Sequence, residues 1–140
     1  MKTFSWILLT LVAALLLLGG FASAYTSYFI DASRDLIVGE TSLEEVAAGD
    51  AAVETALRGR RATAAAFSMG FAVLMLFVVL GPYRRGEKWA WWALLASVAV
   101  LSGAILLRTL VLVNPLGAGT GGGILLATVI ALLLDLKRLR

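Results

Sequence analysis

The sequence predicts an all-α fold: an integral membrane up-down four-helix bundle, with a partly helical extracytoplasmic loop between helices 1 and 2. Three observations carry that expectation. Of 140 residues, 61% are hydrophobic and 15% charged, and the mean hydropathy is +0.94, unlike a soluble domain. Four runs are apolar enough to form spanning helices, which need ~20 such residues at ~1.5 Å rise to cross ~30 Å of hydrocarbon. Finally, the last three runs are joined by short links, which make their helices antiparallel neighbours.

The expected spans are about 4–30, 62–82, 89–113 and 120–136, in a single transmembrane domain with an outer loop at 31–61. The first begins like a cleavable secretory signal, with Lys2, an apolar centre and a small-residue ending at Ala22, Ser23 and Ala24. The uncharged stretch runs on through YTSYFI to Ile30, however, and residues 4–30 make about 40 Å of helix, longer than a signal requires. It is therefore expected to be retained as the first span, with Gly20 and Ala24 in helix packing and Tyr25 and Tyr28 at its exit. Cleavage after Ala24 is the alternative, leaving three spans and an external N-terminus.

The outer loop carries seven carboxylates, Asp31, Asp35, Glu40, Glu44, Glu45, Asp50 and Glu54. Ser42 followed by Glu45 is a capping-box signature, and Leu43, Val46, Val53 and Leu57 fall close to one helical face. Asp50 interrupts that face and Gly49 weakens the helix. The link GPYRRGEK (residues 81–88) joins spans two and three. NPLGAGT (residues 114–120) joins three and four, with Pro115 and the glycines ending one helix before the next begins.

Basic residues near the span ends set the expected orientation. With the N-terminus cytoplasmic, that side holds Lys2, Arg84, Arg85, Lys88, Lys137, Arg138 and Arg140. The outer side holds Arg34, Arg58, Arg60 and Arg61, with Arg108 at its boundary. Seven against five favours a multi-pass protein of the cytoplasmic (inner) membrane with both termini inside, the trio Arg58, Arg60 and Arg61 being discordant. Trp6, Tyr83, Trp89, Trp91 and Trp92 then fall at the inner interface. The simpler reading of Trp89, Trp91 and Trp92 is an interfacial anchor, and the alternative is a ligand cage.

Several function classes are excluded by composition. Without cysteine or histidine the chain offers no thiolate or imidazole ligand and lacks the commonest general base near neutral pH, so no metal and no cofactor is expected. The net charge of +3 is spread among apolar runs and forms no basic face for nucleic acid. No ionisable residue lies at the midplane of a span, which argues against a proton path or an arginine-rich voltage sensor. Asp135 is expected at the interface, within a turn of Lys137 and Arg138. GAGTGGG (residues 117–123) lacks the Lys and Ser or Thr of a phosphate loop and reads as a turn leading closely into the next helix.

Arg108 stands apart. Nineteen residues beyond Trp89, about 28 Å of helix, it reaches the outer boundary, yet the apolar TLVLV follows it. One expectation is that the outer loop folds back over Leu110 to Val113, with Asp31, Asp35 or Glu40 pairing with Arg108 as a ligand- or partner-binding group. The other is a mobile loop with Arg108 solvated by headgroups.

Small residues recur at four-residue spacing: Gly20 and Ala24; Ala62, Ala66 and Gly70; Ala99 and Gly103; Gly123, Ala127 and Ala131. Such stripes let helix backbones approach closely in lipid, either within one chain or against a partner. The RRGEK turn and KRLR tail are expected to attract anionic lipid at about 1 kcal/mol per basic residue.

The four-span layout with its polar first loop, and the second span leading into YRRGEKWAWW (Tyr83 to Trp92), resemble small bacterial four-helix membrane proteins, including DoxX-like and neighbouring uncharacterised families. The resemblance implies the layout and carries over no catalytic or binding residue. The expected function is therefore a non-enzymatic accessory or scaffold subunit of a membrane complex. Its partners would be membrane lipids and a membrane-protein partner or a second copy. The alternative is a bundle that binds or moves a small apolar ligand, a lipid or quinone, oriented by Arg108. A lipid-acting enzyme ranks third, since it would rest on the outer-loop carboxylates alone.

Overall fold

The computed structural model describes residues 2–29, 37–38, 41–111 and 118–136. Five helices form: α1 (Lys2–Phe29), α2 (Leu43–Ala47), α3 (Ala51–Val78), α4 (Lys88–Val111) and α5 (Ala118–Leu133). Three stretches are long and apolar enough to cross a membrane, Phe4–Phe29, Ala51–Tyr83 and Lys88–Leu107, and Gly119–Leu133 is a shorter apolar helix. Among the described residues the structure is thus helical apart from two short strands, β1 (Ile37–Val38) and β2 (Thr41–Ser42), which pair antiparallel with Ile37 opposite Ser42 and Val38 opposite Thr41.

The polar loop folds in two pieces where one helix is expected. Ser42 caps α2 through the capping box, its hydroxyl accepting from the Glu45 amide. Ala48 then turns left-handed at φ 47° and Gly49 follows at φ 81°, ending α2 after five residues. Asp50, expected only to interrupt an apolar face, restarts the helix: its Oδ1 accepts from the Ala52 amide at 2.8 Å. The second long helix accordingly begins at Ala51, eleven residues before the expected start at 62. The break also separates the expected face, since Leu43 and Ala47 are buried while Val46 and Val53 are exposed. The last helix is shifted as well, running Ala118–Leu133 where 120–136 is expected.

α3 continues through a π-helical turn, Val79–Tyr83, that contains Pro82. Proline has no N–H and its ring clashes with the carbonyl four residues back. A wider turn accommodates both, and the chain leaves it through Gly86, whose φ of 96° favours a residue without Cβ.

The chain forms two compact units. The first comprises Met1–Leu15 and Ala72–Arg140, the second Leu16–Phe71. In the first, Trp91 reaches Leu132 and a Cβ on Gly121 would meet Ile105, so α4 and α5 run antiparallel. Its core holds Leu9, Ala72, Val79, Tyr83, Leu94, Val98 and Leu132, while Phe4, Leu11, Phe77, Val100 and Leu107 are exposed. In the second unit, a Cβ on Gly20 would lie 2.7 Å from Met69 Cγ and 3.2 Å from the Ala65 carbonyl. Three residues further along α1, Ser23 Oγ accepts from Arg61 Nε at 3.2 Å, so this pair of helices is also antiparallel.

Hydroxyls on the helices of the first unit, half-buried or buried, differ in how they are satisfied. Thr10 and Ser97 donate to carbonyls one turn back, at 2.8 and 2.6 Å. Ser102 and Thr128 are fully buried, and their hydroxyls have no hydrogen-bond partner among the described residues. Because an unpaired buried hydroxyl carries its full desolvation cost, Ser102→Ala and Thr128→Val are each expected to stabilise the folded state by about 1 kcal/mol. Denaturant unfolding in detergent, followed by far-UV circular dichroism, measures this, and a loss of 1 kcal/mol would contradict it.

Candidate functional site

The most structured polar cluster sits where the π turn meets residues 2–15 of α1 and the end of α5. Ser5 Oγ donates to the Ala131 carbonyl at 2.7 Å and lies 2.5 Å from the Tyr83 hydroxyl. Ser5 has one proton and the carbonyl can only accept, so Tyr83 is the donor to Ser5. Trp91 Nε1 donates to the next carbonyl, Leu132, at 3.1 Å. The last carbonyls of a helix lack intrahelical partners, and two of those of α5 are met by side chains from other helices. Ser5 and Tyr83 are fully buried and Trp91 nearly so. The cluster is a clamp that ties Ser5, the π turn, α4 and the end of α5 together through these bonds. Among the described residues no group of three His, Cys, Asp or Glu side chains could hold a metal ion.

Beside the clamp lies an exposed basic and aromatic rim. The Arg84 guanidinium sits 4.9 Å from the centroid of the Trp6 ring, a cation–π contact. Arg85 pairs with Glu87 at 3.5 Å, and Trp89 Nε1 donates to the same carboxylate at 2.5 Å. The three tryptophans of the WAWW segment therefore divide: Trp89 and Trp92 are exposed, and Trp91 is taken inward by the Leu132 carbonyl. Asp135, just past the end of α5, is buried at 2% exposure, its amide donating to the Leu132 carbonyl at 3.1 Å.

The small-residue positions are also divided. A Cβ on Gly121 would lie 2.7 Å from Ile105 Cγ2, and one on Gly20 would strike Met69, so these two glycines carry the close helix approaches within the chain. Gly70, Gly103 and Gly123 are exposed, with open space where a Cβ would stand. Ala66 and Ala99 are exposed and Ala127 half-buried. Nothing local in the sequence marks which of the three adjacent glycines, Gly121, Gly122 and Gly123, faces α4.

Of the proposed outer site, Asp31, Asp35 and Glu40 lie outside the described residues, as do the side chains of Arg108 and Leu110 and all of residues 112–113. Val111, at the end of α4, is exposed. The three discordant arginines lie among the described residues. Arg58 pairs with Glu54 one turn back at 2.9 Å, and Arg61 is held by Ser23, while Arg60 is exposed.

In the outer loop, the Thr41 hydroxyl, followed by the Ser42 amide, holds the Glu45 carboxyl below the usual carboxylate range. A depressed folded pKa adds stability that is present above the unfolded value near 4.5 and lost as pH falls through the folded value. Carbon-13 titration of Glu45 is therefore expected to give a midpoint below that of Glu45 in the Thr41→Val variant. Equal midpoints would mean that the Thr41 contact does not act.

No family model, curated protein or solved structure matches the chain. What defines its class is its own fold, an all-helical protein with three helices long and apolar enough to cross a membrane.

Proposed function

We propose that the protein is a non-enzymatic integral membrane protein that acts as an accessory or scaffold subunit, its outer helix faces receiving helices of a membrane partner. Membrane insertion is supported by the many large apolar side chains left on the surface. Small and polar residues such as Ser5, Ala13, Ser102 and Thr128 are buried, whereas Phe4, Leu15, Phe67, Phe77 and Leu126 point outward. In water such a surface would be an aggregation hazard, and in lipid it costs nothing. On this reading α1, α3 with its π turn, α4 and the shorter α5 are four spans, with both termini on the cytoplasmic face of a bacterial inner membrane.

The observation that carries the subunit role is the open space at Gly70, Gly103 and Gly123. Association in lipid depends on close backbone approach, and these positions allow it on faces that the chain itself leaves uncovered. Replacing all three by leucine is expected to leave the thermal unfolding midpoint within a few degrees of wild type. The same change should reduce recovery of the partner at least ten-fold when the tagged protein is purified in mild detergent and analysed by native mass spectrometry. A lone wild-type chain carrying only lipid would overturn the subunit role and favour the binding of a small apolar ligand.

A further inference from the structure

We propose that the rim formed by Trp6, Arg84, Arg85 and Trp89 is a binding site for the phosphate of an anionic phospholipid headgroup, resting on the membrane reading above. Its geometry goes beyond a scatter of basic residues. The cation–π contact places Arg84 by the indole of Trp6, 4.9 Å from its centroid. A guanidinium has five N–H donors and presents them in a fork that fits phosphate oxygens, and among the described residues Arg84 spends none of them on a hydrogen bond. Among the described residues no carboxylate pairs with Arg84, which is exposed.

The neighbouring groups reinforce one sign of charge. Arg85 and Lys88 are exposed in the same turn, and Glu87 is the single acidic residue from 81 to 92. That carboxylate is shared between Arg85, at 3.5 Å, and the Trp89 indole, at 2.5 Å. The Arg85 pair is long, and its arginine side chain is 72% exposed, so it is weak and readily exchanged for a phosphate. The positive φ of Gly86 folds the turn so that Arg84 and Arg85 precede it and Trp89 follows within three residues. Trp89 and Trp92 are exposed amphipathic rings beside these charges, and their preference for the headgroup level identifies the occupant as lipid rather than a free ion.

The test is tryptophan quenching by brominated lipid, with the full chain reconstituted in phosphatidylcholine vesicles containing phosphatidylglycerol. Either lipid carries the bromine in turn, and Trp6, Trp89 and Trp92 are the reporters. The wild-type protein is expected to select phosphatidylglycerol several-fold over phosphatidylcholine. The Arg84→Gln and Arg85→Gln variants should each lower that preference about five-fold or to unity. Arg84→Lys, which keeps the charge but not the planar fork, should fall between Arg84→Gln and wild type. Equal quenching by the two lipids in the wild-type protein, or an unchanged preference in the double glutamine variant, would overturn the site while leaving membrane insertion intact. Quenching by neither lipid would overturn both. Displacement of phosphatidylglycerol by inorganic phosphate at matched ionic strength would assign the rim to a soluble anion and defeat the lipid proposal.

Discussion

Gly121→Val is expected to destabilise the folded protein by about 3 kcal/mol, the largest effect of any single substitution considered. A Cβ at this position would lie 2.7 Å from Ile105 Cγ2 and 3.1 Å from Ile105 Cβ. Ile105 is β-branched and stiff at χ1, and its Cβ moves only with the backbone, so α4 and α5 must separate. Even Gly121→Ala should destabilise, although alanine is favoured over glycine in a helix by about 1 kcal/mol. At Gly103 and Gly123, where the space is open, the same change to alanine should be neutral or stabilising by up to about that amount. The pair Gly121→Val and Ile105→Ala should couple favourably by at least ~1 kcal/mol, because truncating Ile105 removes Cγ2 and Cδ1 from the clash. Relief is expected to be partial, since the Cβ at 3.1 Å remains in alanine. Unfolding in detergent followed by tryptophan fluorescence gives all these values, and additivity of the double variant would remove Ile105 as the cause.

The contrast between Gly121 and Gly123 also shows where sequence reading stops. Long apolar helices are legible because the absence of charge along a segment is a local property, and α1, α4 and the part of α3 beyond Arg61 follow from it. The capping box of Ser42 and Glu45 is equally local. Asp50 reads in the sequence only as an interruption of an apolar face, whereas the left-handed conformation of Ala48 makes it the cap of the next helix. Which face of an apolar helix turns inward is different in kind. Gly121 and Gly123 lie about 200° apart around the helix, and with nearly every neighbour apolar there is no polar face to orient it. The same holds for Trp91 against Trp89 and Trp92, since nothing local marks which ring meets the Leu132 carbonyl of α5. Ser5 and Tyr83 are 78 residues apart, and no spacing rule brings them together.

That pairing supports the second large effect. Ser5→Ala is expected to cost about 2 kcal/mol, and Tyr83→Phe about half as much, an order opposite to the sizes of the side chains. Ser5 stands in the middle of the chain of bonds: it accepts from Tyr83 and donates to the Ala131 carbonyl. Removing it strips the Ala131 carbonyl of its donor and Tyr83 of this acceptor, both in a buried setting. Removing the Tyr83 hydroxyl leaves the bond from Ser5 to Ala131 in place, and the phenyl ring still fills the core. If Tyr83 were only a large packing residue, its phenylalanine variant would be silent and the two substitutions would add. A shared network predicts instead that the double variant costs clearly less than the sum of the singles, because the second deletion removes a partner already lost. Trp91→Phe, which removes one of the two donors to the Leu132 carbonyl and leaves this chain of bonds untouched, should add to either single variant within about 0.5 kcal/mol.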